Sequence, residues 1–518
     1  MRSGPLPFYP VAFAIYPPLA LAAENAGELL ALCSLVTPIV ASAVVALAAL
    51  TLLSRIIREV HKRALIATVV SYAVTCYGYF KGMLSTIPAL SPLAADDVAL
   101  PIWGLLALSV SLQLYRVHWP LRGSYAFLNL TSLILLTFPA YTLAAHRGFG
   151  DAPPAVPEPL VARASDDPRA SVRPDIYFLM LDKYTGSSSL RTNYEFDNGP
   201  FEARLRDRGF FVAAHSRTNY VHTFQVLASM LNWEYLDSPP REGPTQHEYL
   251  HSSYERIESN RTWQFLKQRG YRFVFFPTGL PATARNRLAD VQLPDPRYAT
   301  SEFQVAWLHT TVAPVIARWR CRVVRCIDDA FPYTPEPAAR IDWKFQRLAT
   351  LPGSPGPLFV FAHILVPHEP YIYNADCSHR TAFWPANDFG INEPKVKHAY
   401  VAQLICVNRK VLQLIDQLIR RSPTPPVIIL QSDHGHGRLG RVPPPFHQAR
   451  RENVRERVDI FAAYHLPAGG EVVVHDSISP VNVFRGVLRH YFGANLPPLE
   501  DITYWSAWEE PYRFTRIP

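Results

Sequence analysis

The sequence predicts an α-helical membrane domain followed by an α/β domain with a mostly parallel central sheet. Two observations support this. Apolar residues dominate the first 145 of the 518 residues, and apolar runs typical of buried strands alternate with helix-period segments over much of the remainder. We place the membrane domain at residues 1–147, a linker rich in Pro and Ala at 148–173, and the α/β domain at 174–518.

The membrane domain is predicted from five apolar stretches, each long enough to cross a bilayer core of about 30 Å. They cover residues 7–23, 29–53, 64–84, 98–115 and 124–145. The first stretch is the shortest and contains Pro10, Pro17 and Pro18. A cleaved signal peptide is the alternative interpretation of this stretch.

The charges of the connecting loops predict the orientation of these spans. Basic residues cluster in the second and fourth connections, as Arg55, Arg58, Lys62, Arg63, Arg116 and Arg122. The positive-inside rule makes these two connections cytoplasmic. Five spans then predict a multi-pass protein of the cell membrane, with everything after His146 outside the cytoplasm.

The net charge of the chain bears on the kind of partner that it could bind. The net charge is +8, but no block of Lys and Arg with interleaved aromatics is present, so we expect no nucleic-acid partner.

Four of the six cysteines lie in the soluble part and could form disulfides in an oxidising compartment. We favour pairing Cys377 with Cys406, and Cys321 with Cys326.

Polar residues follow two predicted strands of the α/β domain. The run at 176–181 ends on Asp182, and the run at 427–430 leads into Asp433 and His434. Open α/β sheets bind ligands at the carboxyl ends of their strands. Carboxylate and imidazole groups together are common ligands of divalent metals, although a polar turn with a chance histidine is the alternative.

Three further residues stand at informative positions. His363 lies within the predicted strand 358–366, and His368 follows the same strand. A histidine in mid-strand is more often structural than one at the carboxyl end. Thr223 directly precedes a segment of helical spacing that begins at Phe224. It is a natural N-cap, or else a hydroxyl held where the helix dipole stabilises an alkoxide or a phosphate.

The order of Asp182, Thr223, His368, Asp433 and His434 resembles that of the alkaline phosphatase and sulfatase superfamily. The resemblance is greatest to its membrane-anchored branch, which includes lipoteichoic acid synthases and phosphoethanolamine transferases. It covers roughly residues 173–467 together with the five-span layout. The sequence lacks the C/S-x-P-x-R motif of sulfatases, which disfavours hydrolysis of sulfate esters by formylglycine chemistry.

The resemblance implies an alkaline-phosphatase-like fold and a set of site residues. Thr223 would be the nucleophile that forms a phosphothreonine, and His368 with His363 would donate a proton or bind the phosphoryl group. A divalent metal, whether Zn, Mn or Mg, would be held by Asp182, Thr223, Asp433 and His434. His222 and His436 are flanking candidates only. Four further residues could bind phosphate or lie in a solvated loop, which we favour, namely Lys183, Arg441, His447 and Arg450.

The resemblance and the membrane spans imply a metal-dependent transferase that moves a phospholipid head group to a cell-envelope glycan or lipid. One alternative is a sulfatase-like hydrolase of phosphate or sulfate esters, and another is a membrane-anchored pseudoenzyme that binds a partner. The sequence leaves open the donor, the acceptor, the number of metals and the oligomeric state.

Overall fold

A computed structural model describes the chain over ten ranges. They are residues 7–25, 32–87, 89–116, 124–146, 173–236, 244–293, 302–316, 338–380, 393–437 and 443–517. The predicted linker lies outside the described residues except for Arg173, as do Cys321, Cys326 and Arg441.

The chain forms two compact units. The first comprises Met1–Ala152 and Thr300–Pro335, and the second comprises Pro153–Ala299 and Glu336–Pro518. The segment at 300–335 therefore belongs to the first unit, although it follows the beginning of the second along the chain.

The first unit is helical. Its helices are α1 (Tyr9–Glu24), α2 (Val36–Ser54), α3 (Val60–Thr75), α4 (Tyr77–Thr86), α5 (Asp96–Arg116), α6 (Ser124–His146) and α12 (Glu302–Thr310). Among the described residues, three helical segments are long and apolar enough to cross a membrane, at Val36–Ser54, Asp96–Arg116 and Tyr125–Ala145. The predicted helical membrane domain is therefore confirmed.

Two of the five predicted spans have a different form from the other three. Helix α1 has 16 residues and contains Pro17 and Pro18, so it extends only about 24 Å at 1.5 Å per residue. The third predicted span consists of two helices, α3 and α4, which meet at Cys76. The five-span count and the orientation remain predictions.

The second unit is built around a seven-stranded sheet of order β2-β7-β6-β1-β5-β3-β4. Its strands are β1 (Ile176–Leu181), β2 (Phe210–Val212), β3 (Arg272–Phe276), β4 (Val291–Gln292), β5 (Leu358–Ile364), β6 (Val427–Ser432) and β7 (Ala462–His465). Strands β6, β1, β5, β3 and β4 are parallel, whereas β7 and β2 pair antiparallel at one edge. The predicted mostly parallel sheet is confirmed.

Helices and a small second sheet complete this unit. The helices are α7 (Ser187–Tyr194), α8 (Gly199–Arg206), α9 (Thr223–Met230), α10 (Gln246–Glu258), α11 (Arg261–Lys267), α13 (Ala338–Leu348), α14 (Glu393–Arg421), α15 (Arg451–Val458) and α16 (Pro480–Phe492). Strands β8 (Thr503–Trp505) and β9 (Thr515–Ile517) form an antiparallel pair. Alternate residues of the parallel strands enter two apolar cores, as expected for a sheet that is covered on both faces.

Three adjacent strands end at the same level of the sheet. Leu181, the last residue of β1, lies opposite Ile364 of β5 and Ser432 of β6. The residues that follow these strands therefore emerge side by side. This register places Asp182, Asp433 and the loop with His368 at one edge.

Candidate functional site

The carboxyl ends of β1 and β6 bring together three ionisable side chains. Oxygen or nitrogen atoms of Asp182, Asp433 and His434 lie within 4.8 Å of one another. All three residues are buried. The structure thus assembles three of the four predicted metal ligands.

The fourth predicted ligand, Thr223, joins this group from α9. Its Oγ1 donates a hydrogen bond of 2.7 Å to Asp433 Oδ2 and lies 3.4 Å from His434 Nε2. The expected N-cap role is wrong, because the N-cap is His222 and Thr223 is the first helical residue. Thr223 is half-buried, whereas Asp182, Asp433 and His434 are buried, so Thr223 is the most exposed residue of the group.

His434 presents a lone pair to the site. Its Nδ1 lies 3.0 Å from the carbonyl oxygen of Gly435, which can only accept, so Nδ1 carries the proton and Nε2 is the acceptor. Burial, followed by the charge of Arg457, lowers the pKa of His434 well below its ordinary value. A neutral imidazole with a carbonyl behind it is the form in which histidine binds metals.

The two carboxylates have different surroundings. Asp433 Oδ1 accepts hydrogen bonds from the backbone N–H groups of Lys183 and His434, at 3.1 Å and 2.8 Å. Burial, and then the charge of Asp182, raise the pKa of Asp433. Burial alone would raise the pKa of Asp182 too, but the imidazoles of His368, His363 and His434 outweigh it and lower that pKa.

Asp182 shows that the site fits a cation. Neither of its carboxylate oxygens has a hydrogen-bond partner among the described residues, although both are buried. A buried charge without such partners is costly unless it is paired or coordinates a metal. Asp182 Oδ2 lies 3.3 Å from His363 Nε2. Carboxylate, imidazole and hydroxyl groups converge here as a ligand set for a divalent metal.

The two predicted catalytic histidines occupy unlike positions. His363 is fully buried in β5, and its Nδ1 forms a 2.9 Å hydrogen bond with Thr283 Oγ1. It therefore lies behind Asp182 and has no surface for a substrate. His368 lies beyond the end of β5 and its side chain is 27% exposed.

Helix α14 holds the loop that carries His368. Gln403 Nε2 donates to the carbonyl oxygen of His368 at 3.0 Å, and Gln403 Oε1 accepts from the backbone of Ile372 at 2.7 Å. A disulfide joins Cys377 of this loop region to Cys406 of α14, which confirms the first of the two favoured pairings. The position of His368 thus depends on a helix that lies far from it in the sequence.

None of the described candidates of lower rank contributes a side chain to the group of Asp182, Thr223, Asp433 and His434. His222 is buried against the carbonyl oxygen of Ser506, and burial followed by the charge of Arg457 lowers its pKa to about 3. His436 is buried and bonded to Tyr371 Oη at 2.8 Å. His447 and Arg450 are exposed. Lys183, by contrast, is 5% exposed and paired with Glu369, so it does not belong to a solvated loop.

Arg457 is a site residue that the sequence analysis missed. Its Nη2 donates to His434 Nε2 at 3.0 Å and to the carbonyl oxygen of Val221 at 2.6 Å. Burial lowers the pKa of Arg457 to about 10, so the guanidinium stays charged at neutral pH. A metal on His434 Nε2 would replace the first of these hydrogen bonds. The segment around Arg457 contributed to the family resemblance, but no spacing rule indicated this arginine.

Gly435 is required by a close approach of the backbone. A Cβ at this position would lie 1.9 Å from the carbonyl oxygen of Glu456 and 2.7 Å from that of Asp459. We expect Gly435→Ala to lower the free energy of unfolding by about 1–3 kcal/mol, the usual cost of overpacking, and to displace His434. Chemical denaturation and metal titration would measure both effects. Gly82→Ala is the control, since its Cβ would meet nothing within 4 Å; an unchanged stability of Gly435→Ala would contradict the prediction.

The fold and the site define a membrane-anchored α/β protein with a buried carboxylate–imidazole–threonine centre. No family model and no curated protein matches the sequence. Among solved structures, the chain is similar to the integral membrane lipooligosaccharide phosphoethanolamine transferase A from Neisseria meningitidis. The identity is 12%, the match covers 94% of this chain and 95% of that one, and the TM-score is 0.44.

Two periplasmic domains are also similar. The C-terminal domain of EcEptC from Escherichia coli, in complex with Zn, matches at 14% identity over 69% of this chain and 96% of that one, with a TM-score of 0.43. The corresponding domain of phosphoethanolamine transferase EptC from Campylobacter jejuni matches at 13% identity over 63% and 91%, with a TM-score of 0.39.

Proposed function

We propose that this protein is a metal-dependent phospho-group transferase that moves a phospholipid head group to a cell-envelope glycan or lipid. One observation carries the proposal. The hydroxyl of Thr223, a half-buried residue, donates to Asp433 Oδ2 at 2.7 Å, inside the group formed with Asp182 and His434. A hydroxyl nucleophile needs an adjacent acceptor for its proton, and this one has it.

The residues that would hold the metal are Asp182, Thr223, Asp433 and His434. A divalent metal bound by them would lower the pKa of the threonine hydroxyl and stabilise negative charge on the phosphoryl oxygens.

Transfer proceeds in two steps, and each step accounts for every proton moved and every bond to phosphorus that forms or breaks. In the first, the Thr223 hydroxyl gives its proton to Asp433 Oδ2, the Oγ1–P bond forms, and the P–O bond to the lipid breaks. The leaving oxygen takes a proton from His368. In the second, His368 accepts the proton of an acceptor hydroxyl, which attacks phosphorus. The Oγ1–P bond then breaks and Asp433 returns the proton to Thr223.

The remaining side chains support these steps without touching the reacting atoms. His363 is fully buried and would orient Asp182. This role differs from the catalytic role predicted for His363. Arg457 holds the carbonyl oxygen of Val221 through Nε and Nη2, two residues before the nucleophile. Its fixed positive charge also favours anionic phosphoryl groups.

The membrane helices favour a lipid as the donor. A catalytic domain in the same chain as membrane spans meets phospholipid head groups at high local concentration. The sequence resemblance to lipoteichoic acid synthases and phosphoethanolamine transferases supports two head groups, phosphoglycerol and phosphoethanolamine.

The experiment is to trap the intermediate on the full-length protein. Purified protein is loaded with Zn, Mn or Mg and mixed with vesicles that contain phosphatidylethanolamine or phosphatidylglycerol. We expect mass spectrometry to find Thr223 modified by one of the two head groups, which identifies the donor.

The fate of the adduct separates the two enzyme classes. Transfer to an added glycan or lipid supports the transferase, whereas release only to water supports the hydrolase alternative. Absence of both adduct and product from folded, metal-loaded protein with all donors would overturn the proposed function.

A further inference from the structure

Lys183 occupies a strained backbone position next to the site. Its φ of 59° lies in the left-handed region, which costs a residue other than glycine about 1–3 kcal/mol. The conformation lets one residue make two contacts. The backbone N–H bonds to Asp433 Oδ1 at 3.1 Å, and the buried ammonium pairs with Glu369 Oε1 at 2.7 Å.

The ion pair with Lys183 uses only one carboxylate oxygen of Glu369, Oε1. Its side chain is 8% exposed, and Oε2 has no hydrogen-bond partner among the described residues. This oxygen lies 3.8 Å from His368 Nδ1 and 3.9 Å from His436 Nε2. Burial alone would raise the pKa of Glu369, but Lys183, His368 and His436 outweigh it and hold the pKa well below its ordinary value. The carboxylate therefore stays charged.

His368 is oriented by the same residue. Its Nδ1 donates to the backbone carbonyl oxygen of Glu369, so Nε2 is the nitrogen left for a substrate. The ring is 27% exposed, whereas the Glu369 side chain behind it is 8% exposed. From the interior outward, the three groups are therefore the Lys183 ammonium, the Glu369 carboxylate and the partly exposed His368 imidazole.

We propose that Glu369, held in place by Lys183, is a positioning residue for His368. The inference rests on the proposed function and adds to it a carboxylate that acts through an imidazole. The Glu369 carbonyl oxygen keeps Nδ1 protonated, and the carboxylate charge 3.8 Å from Nδ1 stabilises the imidazolium. When His368 Nε2 gives its proton to the leaving alkoxide, an O–H bond forms, the N–H bond breaks, and the electron pair stays on the ring.

A purely structural ion pair is the competing explanation. Buried ion pairs often add little net stability, because desolvation offsets their attraction. The chain contains a second group of this composition away from the site, where Asp342 accepts from Lys410 Nζ at 2.6 Å and from His379 Nε2 at 2.9 Å. Asp342 therefore provides a matched control.

The test compares two leaving groups in the metal-loaded, full-length protein. A 4-nitrophenyl phosphodiester releases a phenolate that needs no proton, whereas a phosphatidyl donor releases an alkoxide that does. We expect Glu369→Gln to slow transfer from the lipid by about 10–100-fold, the range for loss of a supporting residue, and to slow 4-nitrophenol release by less than about threefold. Lys183→Met should show the same selectivity, since it releases the carboxylate.

The outcomes separate this inference from the proposed function. Asp342→Asn should show no preference between the two substrates. Equal losses on both substrates for Glu369→Gln and Lys183→Met, at unchanged unfolding temperature, would overturn the inference and leave the transferase intact. A wild type inactive on both esters would overturn the proposed function, and the inference with it. If Glu369→Gln does not fold, Lys183→Met decides alone.

Discussion

A Thr223→Ala variant is expected to form no covalent phosphorus adduct and to turn over phosphodiesters at least about 10³-fold more slowly than the wild type. The hydroxyl is the one nucleophile among the grouped side chains, and its proton already has an acceptor in Asp433 Oδ2 at 2.7 Å. The loss should appear in kcat, because Thr223 forms its bond to phosphorus only during reaction. Steady-state kinetics and mass spectrometry of the quenched protein measure the two effects.

Thr223→Ser is the matched control for the nucleophile. It keeps a hydroxyl on the first residue of α9 and should retain the adduct, with turnover within about tenfold of the wild type. Adduct that persists in the Ala variant would show that another residue attacks phosphorus.

An Asp182→Asn variant is expected to bind the metal more weakly by well over 100-fold, since loss of an outer-shell partner alone costs about 10–100-fold. Both oxygens of Asp182 lack hydrogen-bond partners among the described residues. The substitution therefore removes a ligand and few other contacts. Wild-type protein should gain about 2.7 kcal/mol of stability at a metal concentration 100 times its Kd, and the variant should gain almost none.

The change in unfolding temperature of the metal-free protein is an independent check. Because nearby imidazoles lower the pKa of Asp182, its charged form stabilises the fold at neutral pH, so the chelated variant should unfold at or below the temperature of the chelated wild type. Asp342→Asn serves as the control, because its carboxylate pairs with Lys410 and His379 away from the site. Metal content of Asp182→Asn equal to that of the wild type would contradict the ligand assignment.

Sequence patterns predict this structure correctly where the information is local. The predicted strand 176–181 matches β1, because an apolar run bounded by polar residues identifies a buried parallel strand. Since parallel strands end at one edge, Asp182, Asp433 and His368 could be assigned to a common site before any contact was known. The motif order then added Thr223 through the family resemblance.

The same reasoning failed where the partner is remote. The hydroxyl of Thr223 bonds to Asp433, 210 residues away, instead of capping its own helix. The break at Cys76 between α3 and α4 was not predicted, since the apolar run continues through it. Arg457 and Glu369 were missed because a charged residue near a turn usually faces solvent, and only the packed fold shows that these two are buried.

By itself, the sequence determined the fold class and the strand ends at which polar residues emerge. Both depend on side-chain periodicity and composition, which act over a few neighbouring residues. Only the tertiary structure decided which emerging side chains meet. Lys183 and Glu369 lie 186 residues apart, and their contact follows from the adjacency of β1 and β5. Burial then gives such a pair its chemical meaning, because charges interact more strongly away from water.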